Sequence, residues 1–152
     1  MVKLLVMDVD GTLTDGGIYY DNSGNEFKKF SVKDGAGIVR LHDAGILTMV
    51  LTGRSSECVE RRCAELKVDY VIQGIAKKAA YLGKFMQEHS LKPSEVAYIG
   101  DDINDLECME QVEHTACPGD AVEEVKEKVC YICKKAGGQG AVREYAEKLL
   151  KE

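Results

Sequence analysis

The chain has 152 residues, 45% of them hydrophobic and 30% charged, and carries a net charge of −6. That length holds one domain, residues 1–152, and leaves no room for a separate cap domain, while the composition excludes a disordered chain or a coiled coil. A net negative charge without a basic run argues against nucleic acid or an anionic membrane as partner, so an anionic substrate would need a local positive field.

The opening apolar stretch is too short for a signal-peptide core and meets Asp8 and Asp10, and no apolar run approaches about 18 residues, so a cytoplasmic location is expected. The six cysteines are expected as reduced thiols. Cys130 and Cys133 have the spacing of half a zinc site, but no second pair matches, and ordinary packing is the simpler reading.

In chain order, Leu4 to Met7 predicts a strand buried on both faces, followed by a loop rich in Asp, Gly and Thr. Residues 18–20 and 27–30, around the turn-forming segment Asp21 to Asn25, predict a hairpin inserted before the first helix. A short helix is expected from Gly37 to Gly45, then a strand over 46–51 ending at Thr52-Gly53-Arg54. A helix from Ser55 or Ser56 to about Leu66, a strand over 70–72 and a helix over 77–89 follow. The strand over 96–99 ends at Gly100-Asp101-Asp102, and helices are expected over 104–110, 122–128 and 141–150. Alternating strands and helices imply an α/β fold, a doubly wound, mostly parallel sheet covered on both faces. In such sheets ligands sit beyond the carboxyl ends of the strands, where Asp8, Thr52 and Asp101 fall.

Asp8-Val9-Asp10-Gly11-Thr12 sets two carboxylates two residues apart, on the same side of an extended backbone, where they repel unless a cation joins them. A polar turn would read the same way in isolation. Asp101, with Asp102 and Asp105 in support, brings more carboxylates to the same edge, and a hard cation with oxygen ligands, Mg²⁺ foremost, would neutralise them. Thr52 offers a hydroxyl, and Gly53 and Arg54 offer backbone amides to a phosphoryl oxygen. Lys77 and Lys78 open a helix, from which one ammonium could balance the phosphoryl charge.

Asp8-Val9-Asp10-Gly11-Thr12, Leu51-Thr52-Gly53-Arg54, Lys78 and Gly100-Asp101-Asp102-x-x-Asp105 resemble, in order, the four motifs of the haloacid dehalogenase superfamily. Val32-Lys33-Asp34-Gly35-x-Gly37, Gln73-Gly74-x-x-x-Lys78 and Gly137-Gly138-Gln139-Gly140-Ala141-Val142-Arg143-Glu144 further resemble its capless 3-deoxy-D-manno-octulosonate 8-phosphate phosphatases. The resemblance implies a Rossmann-like fold, Mg²⁺, and a homotetramer whose hairpins and C-terminal tails close neighbouring active sites. It makes Asp8 the nucleophile, Asp10 the general acid and base, Thr52 a phosphoryl donor and Lys78 the charge balancer. Asp8, Asp10 and Asp101 become the metal residues, with Gly53 and Arg54 on the substrate side. Arg143 either travels with the tail into a neighbour or anchors locally.

Glu57 and Lys67 resemble the branch acting on nine-carbon keto acids, 2-keto-3-deoxynononate 9-phosphate or an acylneuraminate 9-phosphate, although an exposed charged pair reads alike from sequence. Other readings are a phosphatase for a different small phosphomonoester and a non-catalytic relative partnering a sugar-acid cytidylyltransferase. A signalling receiver domain fits poorly, because its phosphorylated Asp follows a middle strand, where Thr52 stands here.

Overall fold

In the computed structural model, which describes residues 1–152, the chain runs β1 (Leu4–Met7), β2 (Tyr19–Tyr20), β3 (Glu26–Phe27), α1 (Val32–Asp43), β4 (Leu47–Leu51), α2 (Glu57–Glu65), β5 (Tyr70–Ile72), α3 (Lys78–Glu88), β6 (Val96–Ile99), α4 (Leu106–Met109), β7 (His114–Cys117), α5 (Glu123–Lys126), β8 (Tyr131–Ile132) and α6 (Ala141–Leu149). Six strands form one sheet in the order β5-β4-β1-β6-β7-β8, every pair parallel. The expected doubly wound α/β fold is therefore what the chain adopts.

β1 is apolar at every position because it is central and covered on both faces. Leu5 and Met7 pack with Ile38 and Leu41 of α1, Val59 and Cys63 of α2, and Val142 and Tyr145 of α6. Leu4 and Val6, pointing the other way, pack with Leu82, Phe85 and Met86 of α3, Met109 of α4 and Val125 of α5. The chain leaves β1 toward β4 on one side and returns to β6 on the other. The carboxyl end of β1 is thus the point where strand order reverses, the crevice such sheets use for ligands.

Three expectations shift. The first helix starts at Val32 rather than Gly37, because its glycines are packing positions and not a boundary: a Cβ on Gly37 would lie 2.9 Å from the Arg143 Cα of α6. Residues 114–117 and 131–132, not anticipated as strands, extend the sheet past β6; they are short and of mixed polarity, with no periodicity to mark them. The hairpin strands cover 19–20 and 26–27, with Tyr19 opposite Phe27. Asp21 makes that turn, its carboxylate accepting the N–H groups of Ser23 and Asn25.

Within the subunit, α6 and the glycine-rich segment before it hold to α1 and to the loop after β1. The buried Asp34 of α1 accepts the N–H of Arg143 at 2.9 Å, and the Arg143 side chain donates to Glu147 one turn on. The Gly138 N–H donates to the Thr12 carbonyl at 3.0 Å, so the glycine-rich segment backs the loop that follows β1. All six cysteines are free thiols; Cys133 is buried and Cys130 exposed. No helix is long and apolar enough to cross a membrane.

Gly37→Ala should lower stability by about 1–3 kcal/mol, because the added methyl meets α6 backbone that cannot swing aside. Thermal denaturation should show a melting temperature several degrees lower; an unchanged value would remove the close α1–α6 contact as a constraint.

Candidate active site

The site is built from three strand ends and one helix start. After β1, Asp8 (φ −72°, ψ 165°) and Asp10 (φ −70°, ψ 113°) keep extended backbone, and Gly11 then turns at φ +88°. That left-handed turn suits glycine, and a side chain there would run into the Asp101 carboxylate. Thr52 follows β4, Asp101 follows β6, and Lys78 is the first residue of α3. Asp8, Asp10, Thr52, Gly53, Arg54, Asp101, Asp102 and Asn104 line a cavity of about 200 Å³.

Lys78 organises the floor. Its Nζ donates to Asp8 Oδ1 at 2.9 Å and to Asp105 Oδ1 at 2.8 Å, and its side chain is only 4% exposed. Burial works to lower its pKa, but the Asp8 and Asp105 charges outweigh it and hold the ammonium above its ordinary value. Asp105, fully buried, also accepts the Tyr98 hydroxyl on Oδ1 at 2.6 Å and the N–H groups of Asp101 and Asp102 on Oδ2. Four donors saturate this carboxylate, so it positions Lys78 and the Asp101 loop.

Asp8, Asp101 and Asp105 have carboxylate oxygens within 4.8 Å of one another, close enough to share a metal ion. With Asp105 saturated, the free capacity lies on Asp8 and Asp101. Burial first, then Asp105, pushes the Asp8 carboxyl up to about 6 against the pull of Lys78. Burial and the facing Asp8 push Asp101 up to about 8. Two carboxylates that resist ionising together are a donor set suited to a hard divalent cation.

The Asp10 side chain stands apart from the other carboxylates of the expected metal set. Its carboxylate turns to the hairpin, where Lys28 Nζ sits 2.5 Å from Oδ1, and Arg54 Nε lies 3.9 Å from Oδ2. The cluster of side-chain carboxylates is Asp8, Asp101 and Asp105. Asp102 lines the cavity mouth, and its side chain accepts the Ile103 N–H.

Glu57 and Lys67 are not brought together. Glu57 begins α2, exposed and outside the cavity lining, whereas Lys67 lies just past the other end of that helix at φ +54°. The adjoining Asp69 carboxylate receives the N–H of Thr48 at the start of β4, which marks the amino edge of the sheet, opposite Asp8. Within one subunit Lys67 therefore has no place at the site. Sequence reasoning missed Glu26 and Lys28, whose signal is strand alternation bringing both to one face of the hairpin, and Tyr98, which reads as an ordinary buried strand residue.

The family of haloacid dehalogenase-like hydrolases matches over residues 70–144. The chain is 39% identical to the 3-deoxy-D-manno-octulosonate 8-phosphate phosphatase of Escherichia coli K12 over 149 residues, covering 98% of this chain and 79% of the relative. Identity to the Yersinia pestis enzyme of that name is 37%, over 98% of this chain and 80% of the relative. The crystal structure of the Moraxella catarrhalis phosphatase of that name, in complex with a magnesium ion, a phosphate ion and KDO, superposes with a TM-score of 0.95 at 41% identity, covering 99% of this chain and 86% of that one. The cobalt-bound Haemophilus influenzae phosphatase gives 0.93 at 37% identity, over 99% and 88%. With that likeness along almost its whole length, the chain belongs to the 3-deoxy-D-manno-octulosonate 8-phosphate phosphatase family of haloacid dehalogenase-like hydrolases.

Proposed function

We propose that the chain is a Mg²⁺-dependent phosphatase that hydrolyses the phosphate monoester of a 2-keto-3-deoxy sugar acid through an aspartyl phosphate on Asp8. The observation that carries this reading is the buried Lys78 ammonium bound to Asp8 Oδ1, which orients one carboxylate oxygen and leaves the other for attack. Asp8 attacks phosphorus while the bond to the sugar oxygen breaks, and Asp10 gives that oxygen a proton. Water then adds to phosphorus and yields a proton to Asp10, the bond from phosphorus to Asp8 breaks, and phosphate leaves. Thr52 and the Gly53 and Arg54 backbone amides receive the phosphoryl oxygens at the end of β4. Asp8 and Asp101 would hold Mg²⁺, which offsets the charge on the phosphoryl group.

The relatives named for the eight-carbon acid support the substrate class, and Glu57, three residues beyond Arg54, is the one feature in favour of a nine-carbon acid. The exposed side chains of Ile18, Tyr19, Tyr20 and Phe27 on the hairpin support a homotetramer in which this patch meets neighbouring subunits. Light scattering should give four times the 16.7 kDa chain mass; a monomer would remove the proposed closure by neighbours.

Phosphate release should be strongest from 3-deoxy-D-manno-octulosonate 8-phosphate, 2-keto-3-deoxynononate 9-phosphate or an acylneuraminate 9-phosphate, and should vanish with a chelator. The ranking among the three reads the chain length of the acid. Asp8→Asn should remove turnover by about 10³-fold or more while the fold persists. Preference for unrelated phosphomonoesters, or an active Asp8→Asn variant, would overturn the reading.

A further inference from the structure

We propose that Lys28, on the hairpin, is a positioning residue for Asp10, holding its carboxylate in the orientation from which the leaving oxygen receives its proton. The inference rests on Asp10 being the general acid of the proposed reaction.

Lys28 Nζ lies 2.5 Å from Asp10 Oδ1 and 3.1 Å from Glu26 Oε1, and the Lys28 side chain is 1% exposed. A covered ammonium is costly unless it is paired, and these two carboxylates are its partners. Lys28 does not line the cavity, whereas Asp10 does, so Lys28 acts on the reaction through Asp10. Alternation along the strand sends Glu26 and Lys28 to one face of the hairpin and Phe27 to the other.

Arg54 closes the arrangement, with Nη2 3.2 Å from Glu26 Oε2 and Nε 3.9 Å from Asp10 Oδ2. Two cations and two carboxylates make a charge-balanced ring in which Glu26 offsets part of the Lys28 charge. Lys28 occupies Oδ1 and leaves Oδ2, on the Arg54 side, to face the substrate. A general acid must come within hydrogen-bonding reach of its target atom, and an unheld carboxylate rotates away from that geometry. The same ring ties the hairpin to the acid, so movement of the hairpin is felt at Asp10.

The test compares leaving groups. A sugar alkoxide needs a proton as it departs, whereas p-nitrophenolate leaves without one, and kcat/KM reads the steps up to that departure. Lys28→Met should lower kcat/KM for the preferred sugar-acid phosphate by about tenfold or more, and for p-nitrophenyl phosphate by less than about threefold. Asp10→Asn is the control on the underlying reading and should show the same split more strongly, about 10²-fold or more. Equal losses on both substrates, or none, in Lys28→Met would overturn the positioning role. Absence of the split in Asp10→Asn would instead overturn Asp10 as general acid. If Lys28→Met fails to fold, Lys28→Gln reads the same comparison.

Discussion

One buried ammonium, Lys78 Nζ, sits between Asp8 and Asp105, and the geometry of the catalytic floor depends on it. Without it, two carboxylates beneath the central strand would repel in a medium that screens poorly. With it, Asp8 is held by one oxygen, and Asp105 becomes the fixed point to which Tyr98 and the Asp101 loop attach. The arrangement spans three separate parts of the chain, the ends of β1 and β6 and the start of α3, so the sheet must be assembled before the site exists. Removing one member of such a buried pair leaves its partner uncompensated, which costs more than the pair itself contributes.

Charge is partitioned across the site in two groups. Lys78 serves Asp8 and Asp105 on the floor, while Lys28 and Arg54 serve Asp10 and Glu26 at the rim. Asp101 belongs to neither group, and the Thr12 hydroxyl, 3.4 Å away, is a neutral partner. Asp101 faces Asp8, and because burial and Asp8 make it resist ionising, it is the carboxyl whose charged form a divalent cation would stabilise. In the proposed mechanism this division would separate the nucleophile and its metal from the acid that serves the leaving group, two tasks that need different surroundings in one small cavity.

The sheet and its site edge were legible because central parallel strands carry a strong signal: Leu4 to Met7 and Val96 to Ile99 are unbroken apolar runs ending in carboxylates. The outer strands β7 and β8 were not, since His114-Thr115-Ala116-Cys117 has neither an apolar run nor alternation. Gly37 misled for a physical reason, being small to admit α6 rather than to end a helix. Among site residues, Asp8, Thr52, Lys78 and Asp101 were readable from spacing and family resemblance. The turning of the Asp10 carboxylate toward Lys28 was not, because it depends on a hairpin folding back 18 residues later. Lys67 shows the converse: ten residues from Glu57 in sequence, it lies beyond the other end of α2, at the far edge of the sheet.

The central claim is that Asp8 and Asp101 form an incomplete cation site whose mutual repulsion a metal relieves. Thermal denaturation of the wild-type chain and of Asp101→Asn, each titrated with Mg²⁺, tests it most directly. The wild-type melting temperature should rise with Mg²⁺, since a ligand bound only by the folded state stabilises it. Above about pH 8, where Asp8 and Asp101 are both ionised, the metal-free Asp101→Asn chain should melt no lower than the metal-free wild type, because the variant removes one of two facing charges, and it should respond to Mg²⁺ only at much higher concentration. A Mg²⁺ response that survives unchanged in Asp101→Asn, or a wild-type chain indifferent to the metal, would contradict the claim.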